Sequence, residues 1–244
     1  MKNIFIPTTT GTDWQPLLAK PQTHWKQGAS AMTAAAAWEA AGGALPPEIA
    51  RLLESSREPL LMGQKLLAAL PEWQVPLPGG ITTSNTDVLA ICRNELGLCI
   101  LGVEAKVLED FGPLVSTKRT EASAGQIERM AYLQSLLGVE RFDDAIRYQL
   151  LHRTASALLT ARDFHAAAAV MLVQAFDTPE AQRSDFQAFK TALDAREVAP
   201  LIYKVDSFTG PALYLAWCDG DSRFRNVTLP SAPQFIVASP NTLS

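Results

Sequence analysis

Two carboxylates and an amine in this sequence can be brought to one face of a β-sheet. Asp87 opens the run Asp87-Val88-Leu89-Ala90-Ile91-Cys92, and Glu104 and Lys106 follow Cys99-Ile100-Leu101-Gly102-Val103. The stretches Thr86 to Cys92 and Leu98 to Val107 are rich in Val, Ile and Leu. They flank Arg93-Asn94-Glu95-Leu96-Gly97, a polar, glycine-containing gap, and so predict a β-hairpin. A loop centred on Glu95 and Leu96 opposes Cys92 to Cys99, Ile91 to Ile100, Val88 to Val103 and Asp87 to Glu104. Directly opposed side chains share a face with Cβ atoms ~4.5–5.5 Å apart, and strand alternation puts Lys106 on that face with Glu104. A slip of one residue would turn one carboxylate to the other side of the sheet. Two like charges facing each other in such apolar surroundings are destabilising unless something neutralises them. Lys106 offsets one of them. A divalent cation would offset the rest, and hard oxygen ligands suit Mg²⁺ or Mn²⁺.

The hairpin needs elements around it. Ser30 is placed to cap a helix over residues 31–41 that Gly42-Gly43 stops, and Pro46-Pro47 suits the start of a second helix over 48–54. A third apolar-periodic stretch, Leu60 to Leu70, reads as helical up to Pro71. Residues 73–77 are short and extended, and Pro78-Gly79-Gly80 is a turn. Beyond the hairpin, Ile127, Met130, Leu133, Leu136 and Leu137 form a helical stripe ended by Gly138. A longer helix is expected over 143–161, with Ile146, Leu150 and Leu151 inward. The run 167–176 has the length of a buried strand, 185–192 is a short helix, and 201–205 with 212–217 form a closing hairpin. The tail after Pro230 shows no period. The expectation is a single α/β domain whose mixed sheet is covered on both sides: an N-terminal extension over 1–29, a core over 30–176, and a C-terminal helix and hairpin elaboration over 177–244.

With these elements in place, Asp87, sixteen intervening residues and then Glu104-Ala105-Lys106 on the second strand resemble the PD-(D/E)xK nuclease superfamily. That resemblance implies a restriction-endonuclease-like core: a helix, three antiparallel strands, a helix and a fourth strand, here 73–77, 86–92, 98–107 and 167–176. The wider context is similar to bacterial members of that superfamily. It comprises Val103 to Val107, Glu109-Asp110-Phe111-Gly112-Pro113 and Arg147-Tyr148-Gln149-Leu150-Leu151-His152-Arg153. Asn85-Thr86-Asp87 lacks the proline that names the motif. The resemblance implies that Asp87, Glu104 and the Ala105 carbonyl hold the metal and that Lys106 orients the attacking water or stabilises charge on the phosphate. It matches Glu39, on the first core helix, to a glutamate that assists the metal, and Gln149 to a substrate-side glutamine. His152 and Arg153 are candidates for a phosphate contact, against the reading of an ordinary polar helix face. The activity implied is metal-dependent hydrolysis of phosphodiesters, with DNA as substrate and partner. A catalytically silent member serving as a binding or structural module, in a homo-oligomer or larger complex, is the alternative. A third reading is an enzyme acting on another phosphoester.

Composition limits the choice. The chain has 244 residues, 48% hydrophobic and 19% charged, with a net charge of −4, which excludes a disordered chain and disfavours grip on nucleic acid through a broad basic surface. Cys92, Cys99 and Cys218 cannot all pair and have no zinc spacing, so reduced thiols in a cytoplasmic protein are expected. The start, Met1 to Pro7, is too short in apolar residues for a signal peptide, and no run is long enough for a bilayer, so no membrane partner is expected. Neither a phosphate-binding glycine loop nor a G-x-S-x-G elbow in strand context occurs.

Overall fold

Alternating and continuous apolar runs assemble into one seven-stranded mixed sheet. The computed structural model describes residues 11–80, 82–120, 122–206 and 210–230. The strands are Lys65–Val75 (β1), Ser84–Asn94 (β2), Gly97–Lys106 (β3), Ala168–Ala175 (β4), Arg196–Ala199 (β5), Ile202–Val205 (β6) and Ala212–Asp219 (β7). Their order is β1-β2-β3-β4-β7-β6-β5. β3, β4 and β7 run parallel, and the pairs toward either edge are antiparallel. The helices are Pro21–His24 (α1), Ser30–Ala40 (α2), Pro47–Ser55 (α3), Val115–Arg119 (α4), Ala124–Leu137 (α5), Tyr148–Asp163 (α6) and Glu180–Ala192 (α7).

Both faces of the sheet are covered, as the double-sided apolar strands demand. On one face Leu89, Ile100, Met171 and Trp217 pack with Leu133 of α5, Leu151 and Leu158 of α6, and Phe186 and Phe189 of α7. On the other, Val88, Leu101, Val103 and Tyr214 pack with Trp14, Met32 and Trp38 and with Ile49 and Leu53 of α3. Cys92, Cys99 and Cys218 are buried thiols in this second layer. Among the described residues no helix is long and apolar enough to cross a membrane.

The hairpin register is the one expected: Val88 pairs with Val103, Ile91 with Ile100 and Cys92 with Cys99. Elsewhere the elements differ from expectation. Residues 60–70 do not form a helix. β1 starts at Lys65, continues through Pro71, and pairs with almost the whole of β2. Leu, Ala and Lys favour helix intrinsically, but here a long neighbour offers a complete ladder, and tertiary pairing overrides the weak local preference. Pro71 is tolerated because β1 is an edge strand, where missing N–H groups are least costly. Asn94 pins the preceding turn by donating to the carbonyls of Pro59 and Met62, both at 2.8 Å.

Ser30 is the first residue of α2 rather than its cap, and Ala29 holds the cap position without a side-chain bond. α5 ends at Gly138, which takes the left-handed φ of 68° that glycine tolerates best. Ile127, however, is 61% exposed and not part of the inward stripe. α6 begins at Tyr148 instead of residue 143, because the Asp143 carboxylate accepts from Ala145 N at 2.8 Å and holds a turn ahead of it. Ile146, Leu150 and Leu151 are buried as expected. α7 starts five residues early, at Glu180, and β5 extends the closing hairpin of β6 and β7 by one strand. The expected signal-free start at Met1 to Pro7 and the tail after Pro230 lie outside the described residues.

Candidate active site

Asp87 lies near the start of β2 and Glu104 and Lys106 near the end of β3, at the end of the sheet where β3 and β4 present their carboxyl termini. Open α/β sheets place ligands outside such strand ends. The regular ladder stops at the Val88–Val103 pair. One step beyond it the Asp87 carboxylate replaces the missing strand partner, accepting from Ala105 N at 2.8 Å through Oδ2. Asp87, Glu104 and Lys106 line one cavity of ≈ 360 Å³.

Charges in this cavity are tightly paired. Lys106 Nζ donates to Glu104 Oε1 at 2.7 Å and to Gln149 Oε1 of α6 at 3.1 Å, and lies 5.1 Å from the Phe111 ring centroid. Arg153, one helical turn beyond Gln149, donates from Nε to the other oxygen, Glu104 Oε2. Its Nη1 donates to Ser84 Oγ at 3.1 Å. Glu104, Lys106 and Arg153 are only 2%, 5% and 8% exposed, so each charge depends on the others for its solvation. Burial pushes the Glu104 carboxyl up, but the Arg153 guanidinium and the Lys106 ammonium outweigh it and hold the group at about 2.

A third carboxylate that the sequence reading missed completes the row. Pro71 pairs with Val88 and Trp73 with Thr86, so Glu72 falls at the level of Asp87, which itself falls at the level of Glu104. Glu72 has a φ of 51°, uncommon for a residue with a side chain, and interrupts the β1 ladder there. Burial first, then the Asp87 charge, raises Glu72 to about 8; burial first, then Glu104, raises Asp87 to about 7. A signal for Glu72 was present: extending the 73–77 strand back through Pro71 against 84–88 sets it beside Asp87. Glu109 also lines the cavity, accepting from Ser30 N at 3.0 Å and Val107 N at 3.1 Å, which ties the start of α2 to the end of β3. No sequence spacing announces that loop contact.

Two expected residues lie elsewhere. Glu39 sits nine residues along α2 from Ser30, which at 1.5 Å per residue is ~13 Å down the axis. It accepts from Trp14 Nε1 at 2.7 Å and faces a different cavity, beside β1. His152 turns to a neighbouring cavity of ≈ 400 Å³ with Lys118, Arg129 and Tyr148, its Nδ1 2.8 Å from Ser84 Oγ. Burial and then the Arg153 charge hold it well below the ordinary histidine range, so it is neutral at pH 7. Arg153 and Gln149 do reach the candidate site, but in this geometry both are engaged with Glu104 and Lys106 rather than presented as free phosphate ligands.

Residues 7–222 match the model of the family described as "Domain of unknown function (DUF6946)". The chain belongs to this family. No curated protein and no solved structure matches it. Membership of DUF6946 assigns no chemistry.

The site offers hard oxygen donors: the Glu72, Asp87, Glu104 and Glu109 carboxylates line one cavity. The Lys106 and Arg153 cations line it with these four carboxylates, and burial followed by the neighbouring carboxylate charge favours the protonated forms of Glu72 and Asp87. A carboxylate must give up its proton to bind a metal, so a raised pKa makes such binding pH-dependent. The Ala105 carbonyl also points the right way. Phe176 N reaches the Lys106 carbonyl at 2.8 Å on the β4 side, so by strand alternation the Ala105 carbonyl is directed to the β2 side, past the end of the ladder.

These shifts give a pH prediction. Glu72 and Asp87 keep protons in the fold that an unfolded chain releases near its ordinary carboxylate values of 4.5 and 3.8. Their contribution is most favourable below about pH 4 and is lost as pH rises toward 7–8, because the folded state then binds more protons than the unfolded one. Glu104 acts oppositely, stabilising above its ordinary 4.5 and losing this as pH falls toward 2. In metal-free buffer the urea midpoint should therefore fall steadily between about pH 5 and pH 8, and Asp87→Asn should flatten the slope.

Proposed function

We propose that the protein is a divalent-metal-dependent phosphodiesterase of the nuclease type, built on a restriction-endonuclease-like core and acting on DNA. The observation that carries this reading is the meeting of Asp87 and Glu104 across the end of the β2–β3 ladder with Lys106 against Glu104. The element order supports it too: α2, then β1-β2-β3 antiparallel, then helices, then β4 parallel to β3. Asp87, Glu104 and the Ala105 carbonyl would hold Mg²⁺ or Mn²⁺, with Glu72 beside them. Such a cation supplies a water of lowered pKa and Lewis-acid polarisation of the phosphate. The Lys106 ammonium, held by Glu104 and Gln149, would stabilise negative charge growing on the phosphate, an interaction that its burial strengthens. Arg153 keeps Glu104 ionised and oriented.

The test is Mn²⁺-dependent hydrolysis of bis(p-nitrophenyl) phosphate together with Mn²⁺ binding by calorimetry. Binding should displace protons and tighten about 10-fold between pH 6 and pH 8, as expected for one ligand titrating near 7. One observation favours a second reading. Arg153 already places a permanent cation on Glu104, which would let a silent member keep its carboxylates without a metal. In that case the wild type binds no Mn²⁺ and Arg153→Met acquires the binding.

A further inference from the structure

We infer that the site takes a single unpaired nucleotide with its phosphodiester, and not a duplex; this rests on the phosphodiesterase reading above. The reacting groups lie at the bottom of a cavity, and its outer wall is the N-terminal segment. Glu104, Lys106 and Arg153 line the cavity from buried positions, while Thr23, His24 and Lys26 line it from exposed ones, with Leu18, Ser30 and Ala31 of the same segment beside them.

This wall is fastened at both ends. Trp14 and Leu18 are buried in the second layer of the core, and Trp14 Nε1 donates to Glu39 at 2.7 Å. Trp25 is buried and donates to the Pro230 carbonyl at 3.2 Å, and Gln27 Nε2 donates to the Asn226 carbonyl at 2.7 Å. Glu39, matched from sequence to the metal site, thus serves the site by holding its wall.

Size and charge agree on the ligand. A volume of ≈ 360 Å³ lies near the lower end of the ~300–1,000 Å³ range of small-molecule pockets. A duplex is a stiff rod with phosphates on its outside, and a phosphate within it can reach a recessed centre only if its nucleotide leaves the stack. Holding a duplex outside the cavity would also need a row of cations against its phosphates. The chain carries 21 basic against 25 acidic residues. At the mouth Lys26, exposed and on the wall, is placed to meet the next phosphate of a short strand.

With Mn²⁺, initial rates should be compared on bis(p-nitrophenyl) phosphate, a dinucleotide, a single-stranded oligonucleotide and the same sequence as a blunt duplex. The dinucleotide and single strand should be cut at least ~30-fold faster than the duplex, the cost of unstacking one nucleotide. Lys26→Glu should raise KM for the single-stranded oligonucleotide several-fold more than it raises KM for bis(p-nitrophenyl) phosphate, which has no second phosphate to meet it. Equal rates on duplex and single strand overturn the inference while leaving the phosphodiesterase standing. No Mn²⁺-dependent hydrolysis of any of the four overturns both.

Discussion

Asp87→Asn is expected to remove Mn²⁺-dependent hydrolysis while leaving a chain at least as stable as the wild type. Loss of activity should exceed the ~10–100-fold that follows removal of an outer-shell partner of a metal. The fold should survive because the amide oxygen of the substituted side chain can still accept from Ala105 N, the one bond that Asp87 makes to the β3 backbone. The substitution also deletes a charge that burial and Glu104 both disfavour. Above about pH 7 the urea midpoint should rise, a separation of activity from stability typical of functional carboxylates. Glu104→Gln should lose activity equally but also lose stability, since it orphans Lys106 and Arg153 together. Wild-type turnover in both variants would remove the metal site from consideration.

Arg153→Met carries the largest expected effect on stability. Glu104 is almost fully buried and held by two cations, and removing one leaves a buried charge half compensated. Breaking such a pair from one side costs about 3–5 kcal/mol. For a chain of this size that corresponds to a fall in Tm of roughly 6–20 °C. Arg153→Lys should recover only part of it, because an ammonium cannot reproduce the fork that reaches Glu104 from Nε and Ser84 from Nη1. Combining Arg153→Met with Glu104→Gln should be less damaging than the sum of the two, as neither change then strands the other's charge. A Tm within two or three degrees of wild type for Arg153→Met alone would show that Glu104 is neutralised by other means.

How legible the site was depended on how local its signals are. The pairs Val88–Val103 and Cys92–Cys99 follow from a short loop, since two-stranded register is fixed by the turn and the apolar pattern. The same register delivers Asp87, Glu104 and Lys106 to one cavity. Glu72 is not legible locally: leucine and alanine at 66–70 fit helix or strand equally, and only the partner strand decides between them. Glu39 lies away from the site because a helix residue's distance from it depends on where the axis enters, and α2 enters by its first turn, beside Glu109. His152 and Arg153 are adjacent in sequence, yet ~100° apart around a helix, and so they face different cavities.

What the sequence alone determined is the central hairpin, the two-sided apolar sheet and the acidic pair with its lysine, because each rests on side-chain alternation and a tight turn spanning few residues. The third carboxylate, the arginine locked onto Glu104, and the N-terminal wall were decided only by tertiary structure. They join residues 18–31, 72 and 153 to 104, and no local rule of propensity or period reaches across separations that long.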